Sequence, residues 1–335
     1  MVEQARRLGL SVVVPTRDRP DSLEECLQSL GAALSDFDQL IVVDSASTTT
    51  GLPAIAKAHD ALYVRCEEPG ASKARNAGWR AAKHDIIAFI DDDVRVEAGW
   101  ADGVALCFER FPDASFVSGR LDTPRGSDSG REHESSDELA DELYRRARDL
   151  ADARAPFLLH EDPCWIDDEF DEDVGHSANL ALRRAVLTDL GGFDEQLGAG
   201  AKFRAAEDKD IFDRLFSAGL RGRYEPTAAA LHLDWRDRRE TLALNWTYGI
   251  GLGARIVKRA KTDRQRAKRV ARETLWVWGL LEVYRNLTNR NKWMVLITSV
   301  RTLGMIAGLV RAASHRVESG HFVTPQKRTL SRARS

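Results

Sequence analysis

Four short apolar runs, each stopped by polar residues and separated by helical patterns, constrain the first third of this chain most strongly. Leu10 to Val14 is β-branched and ends at Pro15; Leu40 to Val43 ends at Asp44-Ser45; Leu62 to Arg65 and Asp85 to Ile90 follow. Between them, Ser22 and Glu25 have the spacing of a capping box opening a helix, with Leu23, Leu27, Leu30 and Leu34 on one face. Ser72 to Lys83 reads as another helix. Strands that are apolar throughout and alternate with helices predict an α/β fold: a Rossmann-like, mostly parallel sheet covered by helices on both faces.

In such sheets ligands bind outside the carboxyl ends of the strands. Three polar signals fall there: Thr16-Arg17-Asp18, Asp44-Ser45 and Asp91-Asp92-Asp93. Three adjacent carboxylates repel one another, and desolvation at a strand end sharpens the repulsion. A cation is expected to neutralise them. Neither GxxxxGK[ST] nor GxGxxG follows a strand, which argues against P-loop and dinucleotide enzymes. Aspartates without cysteine suit a hard divalent ion, because magnesium keeps few protein ligands and bridges to substrate phosphates. A solvated turn would explain the aspartate run alone, but not its convergence with two other strand ends.

The net charge of −3 conceals an asymmetry. From Arg255 to Ser335 there are 19 Lys/Arg against 4 Asp/Glu, so this portion is about +15 and the remainder about −18. Such a tail is expected to meet something anionic, nucleic acid and a membrane surface being the candidates. Cys26, Cys66, Cys107 and Cys164 lack metal or disulfide spacing and read as reduced thiols. The opening residues are too polar for a secretory signal, so a cytoplasmic location is expected.

The segments "SVVVPTRDRP", "LIVVDSAS", "GASKARNAGWRAAKHDIIAFIDDDV" and "AEDKDIFDRLFSAG", in that order, resemble the family-two glycosyltransferases of the GT-A fold over roughly Leu10 to Trp235. The resemblance implies a metal-dependent, inverting enzyme that uses a nucleotide-sugar. Pro15, Thr16 and Arg17 would line the nucleotide pocket, and Asp44 would accept a hydrogen bond from the base. Asp91 and Asp92 would sit near the ribose and metal, and Asp93 would ligate the ion, Mn²⁺ or Mg²⁺. Lys73 and Arg75 stand near a helix N-terminus, where the dipole disfavours cations; a nearby diphosphate is the expected reason. Gly70 and Ala71 allow close backbone approach, and Ser72 is expected to cap that helix.

On the acceptor side the resemblance points to Glu207-Asp208. Asp208 is the expected general base, with Glu207 as the alternative and Asp210 as a weaker one. An acidic helix start favoured by the dipole is the plain alternative for this pair. His232 in "ALHLDW" is expected as a further metal ligand, and His176 as lining of the acceptor pocket. The acidic stretch between Gly126 and Val174 is expected to hold a helix from about Asp137 to Asp152.

The expected organisation is a catalytic domain over 1–237, with a nucleotide-binding half at about 8–120 and an acceptor half at about 174–237. A basic helical extension over 238–335 follows. Its run Trp293 to Val310 approaches membrane-spanning length, but Arg301 near the middle costs about 2.5–3.5 kcal/mol on insertion scales. Helices packed on the domain or lying in a membrane interface are therefore preferred. The expected partners are a nucleotide-sugar donor, a glycan, lipid-linked or small hydroxyl acceptor, and an anionic membrane surface at the inner face of the cell membrane. Nucleic acid is not expected. The alternatives are a nucleotidyltransferase making sugar nucleotides, and a non-catalytic binder of sugar nucleotides anchored by its tail.

Overall fold

The computed structural model describes residues 7–122, 162–167, 175–233 and 238–323. The acidic helix expected over Asp137 to Asp152 lies outside these residues.

The N-terminal half runs β1 (Leu10–Thr16), α1 (Pro20–Ala33), β2 (Gln39–Ser45), α2 (Leu52–Ala58), β3 (Leu62–Cys66), α3 (Ala71–Ala81) and β4 (Ile86–Ile90). Then come β5 (Val94–Val96), α4 (Trp100–Arg110), β6 (Phe116–Asp122), β7 (Cys164–Ile166), β8 (Asn179–Arg183), α5 (Arg184–Leu190), α6 (Glu207–Ser217) and β9 (Gly222–His232). The sheet order is β3-β2-β1-β4-β8-β6-β9-β5, with β7 also against β9. The pairs β3-β2, β2-β1 and β1-β4 are parallel, whereas β8 is antiparallel to both β4 and β6.

Strand alternation sorts the core into two layers. Val12 and Val14 pack with Leu23, Leu27, Leu30 and Trp100 on the face covered by α1, α2 and α4. Val13 packs with Ala74, Leu187, Ile211 and Leu215 on the face covered by α3, α5 and α6. Burial on both faces is why these strands read as unbroken apolar runs.

Two expected caps are corrected. α1 starts at Pro20 with Arg19 as its N-cap, and no side chain caps it. Proline's fixed φ suits the first helical position, so the helix begins earlier than the capping box implied. Ser22 instead donates its hydroxyl to the Asp92 carbonyl (2.9 Å). Likewise α3 is preceded by Gly70, and the Ser72 hydroxyl donates to the Leu197 carbonyl (2.8 Å). In both cases a contact distant in sequence took the hydroxyl.

The C-terminal portion contains α7 (Arg238–Thr262), α8 (Arg264–Ala271), a π-helical stretch (Arg272–Leu281), α9 (Glu282–Thr288), α10 (Lys292–Ala313) and the hairpin β10 (Arg316–Glu318) and β11 (His321–Val323). A third core cluster draws on both sides of residue 237: Leu197 and Phe203 pack with Ile250, Ala254, Ala312 and Phe322. α7 and α10 meet backbone to backbone through Gly249 and Gly253 on one helix and Gly304 and Gly308 on the other. A Cβ on Gly253 would stand 2.1 Å from the Met305 carbonyl oxygen. Gly253→Ala is therefore expected to lower stability by about 1–3 kcal/mol, read from the urea midpoint. Gly31→Ala, on the exposed face of α1 where a Cβ meets nothing within 4 Å, should not lower it.

Part of the basic tail turns inward. Arg255 Nε and Nη2 each lie 2.8 Å from the carboxylate oxygens of buried Asp213. Lys258 Nζ lies 2.6 Å from Asp194 and 2.5 Å from Asp210. These cations are therefore taken up by acids of the same chain.

Candidate active site

Asp44, the last residue but one of β2, is buried. Its carboxylate accepts from the Ser47 backbone (2.7 Å), the Tyr63 hydroxyl (2.6 Å) and Arg65 Nη1 (2.5 Å). The parallel register sets Asp44 beside Arg65 and Val42 beside Tyr63, so alternate β3 residues reach the same carboxylate. Burial pushes this acid up, but the Ser47, Tyr63 and Arg65 contacts outweigh it and hold Asp44 below its ordinary value. Ser45 accepts from the Gly70 N–H (2.9 Å), joining the end of β2 to the start of α3.

The aspartate run sits in the turn between β4 and β5, closed by the Val94 N–H donating to the Asp91 carbonyl (3.1 Å). Asp91 pairs with Arg75 Nη2 (2.7 Å). Asp92 accepts from the Thr16 hydroxyl (2.8 Å) and Arg19 Nη1 (2.6 Å), and the same Arg19 nitrogen lies 3.1 Å from Asp93. Burial pushes the Asp92 carboxyl up to about 6 despite Arg19, with Asp93 and Asp91 adding like-charge repulsion. The three strand ends are thus tied together, and two arginines already counter the acids.

His232 is the last residue of β9. The Leu233 N–H donates to the Asp93 carbonyl (2.9 Å), which stitches that strand end to the aspartate turn. His232 Nε2 consequently lies 3.6 Å from Asp93 Oδ1. Among the described residues no three His, Cys, Asp or Glu side chains close on one point. One carboxylate and one imidazole still fit a divalent ion that takes its other ligands from phosphate and water, as hard ions do.

Across the cleft, Glu207 and Asp208 occupy the first turn of α6. Arg75, nearly inaccessible at 3% side-chain exposure, reaches Asp91 with one nitrogen and Glu207 with the other (3.1 Å). It therefore bridges the two halves of the cleft. His176 Nδ1 lies 3.6 Å from Asp208 Oδ2, and the Lys209 N–H donates to Oδ1 (2.7 Å). Burial would raise Asp208, but His176, the Lys209 charge and that backbone N–H hold its carboxyl well below the ordinary range. Glu207 is pushed up, first by burial and then by Asp208 beside it, against the pull of Arg75.

The remaining expected site residues are placed as follows. Thr16 is buried, Pro15 partly so, and Arg17 is exposed with its Nε 3.6 Å from Asp18. Lys73 pairs with Glu68. Asp210, weighed above as a weaker base, is excluded: it is 2% exposed and held by Lys258 and Arg214. Sequence reasoning missed Arg19, Tyr63 and Arg65. The signal for the last two was their alternation on β3, opposite the end of β2. Arg19 lay within the quoted "SVVVPTRDRP" but was given no role.

A parallel N-terminal half, an antiparallel strand inserted after it and carboxylates gathered at the strand ends define the GT-A fold. Residues 11–174, just under half of the chain, match the model of glycosyl transferase family 2. The chain is similar to the pre-mycofactocin glycosyltransferase of Mycobacterium tuberculosis H37Rv, at 26% identity over 313 residues, covering 91% of this chain and 58% of the relative. The chain thus spans somewhat over half the length of that relative. It is also similar to the glucosyl-dolichyl phosphate glucuronosyltransferase of Haloferax volcanii, at 25% identity over 190 residues, covering 53% of this chain and 52% of that one. Among solved structures, the mannosyltransferase PcManGT from Pyrobaculum calidifontis in complex with GDP-Man and Mn²⁺ aligns with a TM-score of 0.52 at 20% identity, covering 94% of this chain and 78% of that one. That likeness carries the fold.

Proposed function

We propose that the chain is a family-two glycosyltransferase that moves a sugar from a nucleoside diphosphate to an acceptor hydroxyl with inversion, using a divalent metal. The observation that carries the reading is Arg75, which joins the donor-side acid Asp91 to Glu207 beside Asp208. The catalytic domain is taken as 1–237 and the extension as 238–335.

In this reading Asp44, fixed by Ser47, Tyr63 and Arg65, accepts a hydrogen bond from the base, with Pro15, Thr16 and Arg17 around the nucleotide. Asp91 and Asp92 face the ribose, and Lys73 with Arg75 lends positive charge near the diphosphate. Asp93 and His232 would hold the ion, which when bound neutralises the charge of the leaving diphosphate. Asp208 removes the proton from the acceptor hydroxyl as it attacks the anomeric carbon from the side opposite the leaving group. The acceptor is a glycan, lipid-linked or small-molecule hydroxyl, and the enzyme works peripherally at the inner face of a membrane.

The test is binding and slow hydrolysis of UDP-, GDP- and dTDP-sugars with and without Mn²⁺. One donor is expected to bind in a manganese-dependent way, and Asp93→Ala should remove that dependence. If no donor binds with manganese present, the reading fails.

A further inference from the structure

Ten of the thirteen large apolar side chains exposed among the described residues lie between Tyr248 and Val310. Besides Tyr248 on α7 and Trp278, they form two stripes: Trp276, Leu280, Tyr284 and Leu287 on the π-helical stretch and α9, and Leu296, Leu303, Ile306 and Val310 on α10. The spacings of four, four and three, and of seven, three and four, put each set on one helical face. The two elements fold back on each other through the short turn at 289–291, and Arg301 Nη2 donates across to the Trp278 carbonyl (3.1 Å). The two stripes therefore belong to one hairpin.

Cations rim it. Arg264 and Lys268 are exposed on α8, and Arg311 is exposed at the end of α10; Arg290 and Lys292 are exposed at the turn. Between Arg264 and Arg316 the acids are Glu273 and Glu282 alone, against eleven Lys and Arg. An apolar face with exposed Trp and Tyr and a basic rim matches the layered chemistry of an anionic bilayer surface.

α10 has the length of a membrane span. However, its opposite face is locked to α7 at the glycines, and α7 is ion-paired into the catalytic core through Arg255 and Lys258. Crossing a bilayer would require that packing to open, whereas lying in the interface leaves it intact. Lys209, next to Asp208, lies 5.9 Å from the centre of the Trp278 ring, so the hairpin stands close to the proposed acceptor side of the cleft.

We propose that this two-helix face seats the enzyme in the interface of an anionic bilayer, without spanning it. This deepens the peripheral location read above, and it is tested without any donor. The full-length protein is sedimented with phosphatidylcholine vesicles, with and without about a third phosphatidylglycerol. Wild type should bind the anionic vesicles and be released by salt. Leu303→Glu/Ile306→Glu, at exposed positions, should lower partitioning by about tenfold or more. Lys292→Gln/Arg311→Gln should lower it by about fivefold per charge. Unchanged circular dichroism and donor binding would show that the variants remain folded.

Equal binding to neutral vesicles, no binding, or undiminished binding by folded variants would each overturn the proposal. So would self-association of wild type that Leu303→Glu/Ile306→Glu abolishes, because a second copy would then cover the face. If no donor binds but vesicle binding behaves as expected, the transferase mechanism fails while this surface stands.

Discussion

Asp208→Asn is expected to lower kcat by about 10²–10⁴-fold while leaving manganese-dependent donor binding nearly intact. The amide keeps the size of the carboxylate but cannot take the acceptor's proton. The pH profile separates Asp208 from its neighbour. A general base loses activity as pH falls through its pKa. Asp208 is held well below the ordinary carboxylate range, so kcat at saturating donor and metal should stay level from about pH 8 to 5. Glu207 is shifted the other way, above its ordinary value. An acid limb above about pH 4.3 that belongs to kcat, together with a greater loss in Glu207→Gln than in Asp208→Asn, would move the role to Glu207.

Lys258→Met should cost about 3–5 kcal/mol of stability, because it leaves buried Asp194 without its cation and Asp210 with Arg214 alone. Lys258 is 5% exposed, and its partners Asp194 and Asp210 are 1% and 2% exposed. Chemical denaturation at pH 7 reads the loss, with Lys57→Met on the exposed face of α2 expected within about 0.5 kcal/mol of wild type. The sign with pH follows from Asp194. Burial raises this acid, but Lys258 and two backbone N–H groups outweigh it, so its folded pKa is depressed. Its contribution is present above its unfolded value of about 3.9 and lost as pH falls through the folded one. The gap between wild type and Lys258→Met should therefore narrow in acid. A constant gap from pH 7 to 3 would show that packing, and not charge, sets the loss.

The N-terminal half was legible because its strands are buried on both faces and so read as continuous apolar runs; β1 to β4 lie within two residues of their expected limits. The two hydroxyls read as caps were not legible, since local spacing cannot report that Ser22 is drawn to Asp92 or Ser72 to Leu197. The inserted antiparallel β8 and the long β9 escaped for a related reason. β9 carries Pro226 and three consecutive alanines, poor strand formers individually, and it is held by pairing to distant segments. In the site, the acids stood out by repulsion and position. Arg19, Tyr63 and Arg65, which counter them, depend on strand register and helix entry. The basic tail stood out by its charge total, but that total could not show that Asp194, Asp210 and Asp213 take up part of it.

The glycine contact between α7 and α10 has a consequence for reach. From the outer face of α10 to Asp208 the joints are backbone against backbone at Gly249 and Gly253, then Arg255 and Lys258 against the acids of α6. That stack makes the fold a ruler. With the proposed membrane seat and Asp208 as the proposed base, it would set the height at which an acceptor hydroxyl must stand, so acceptors would be sorted by stem length before any contact reads their chemistry.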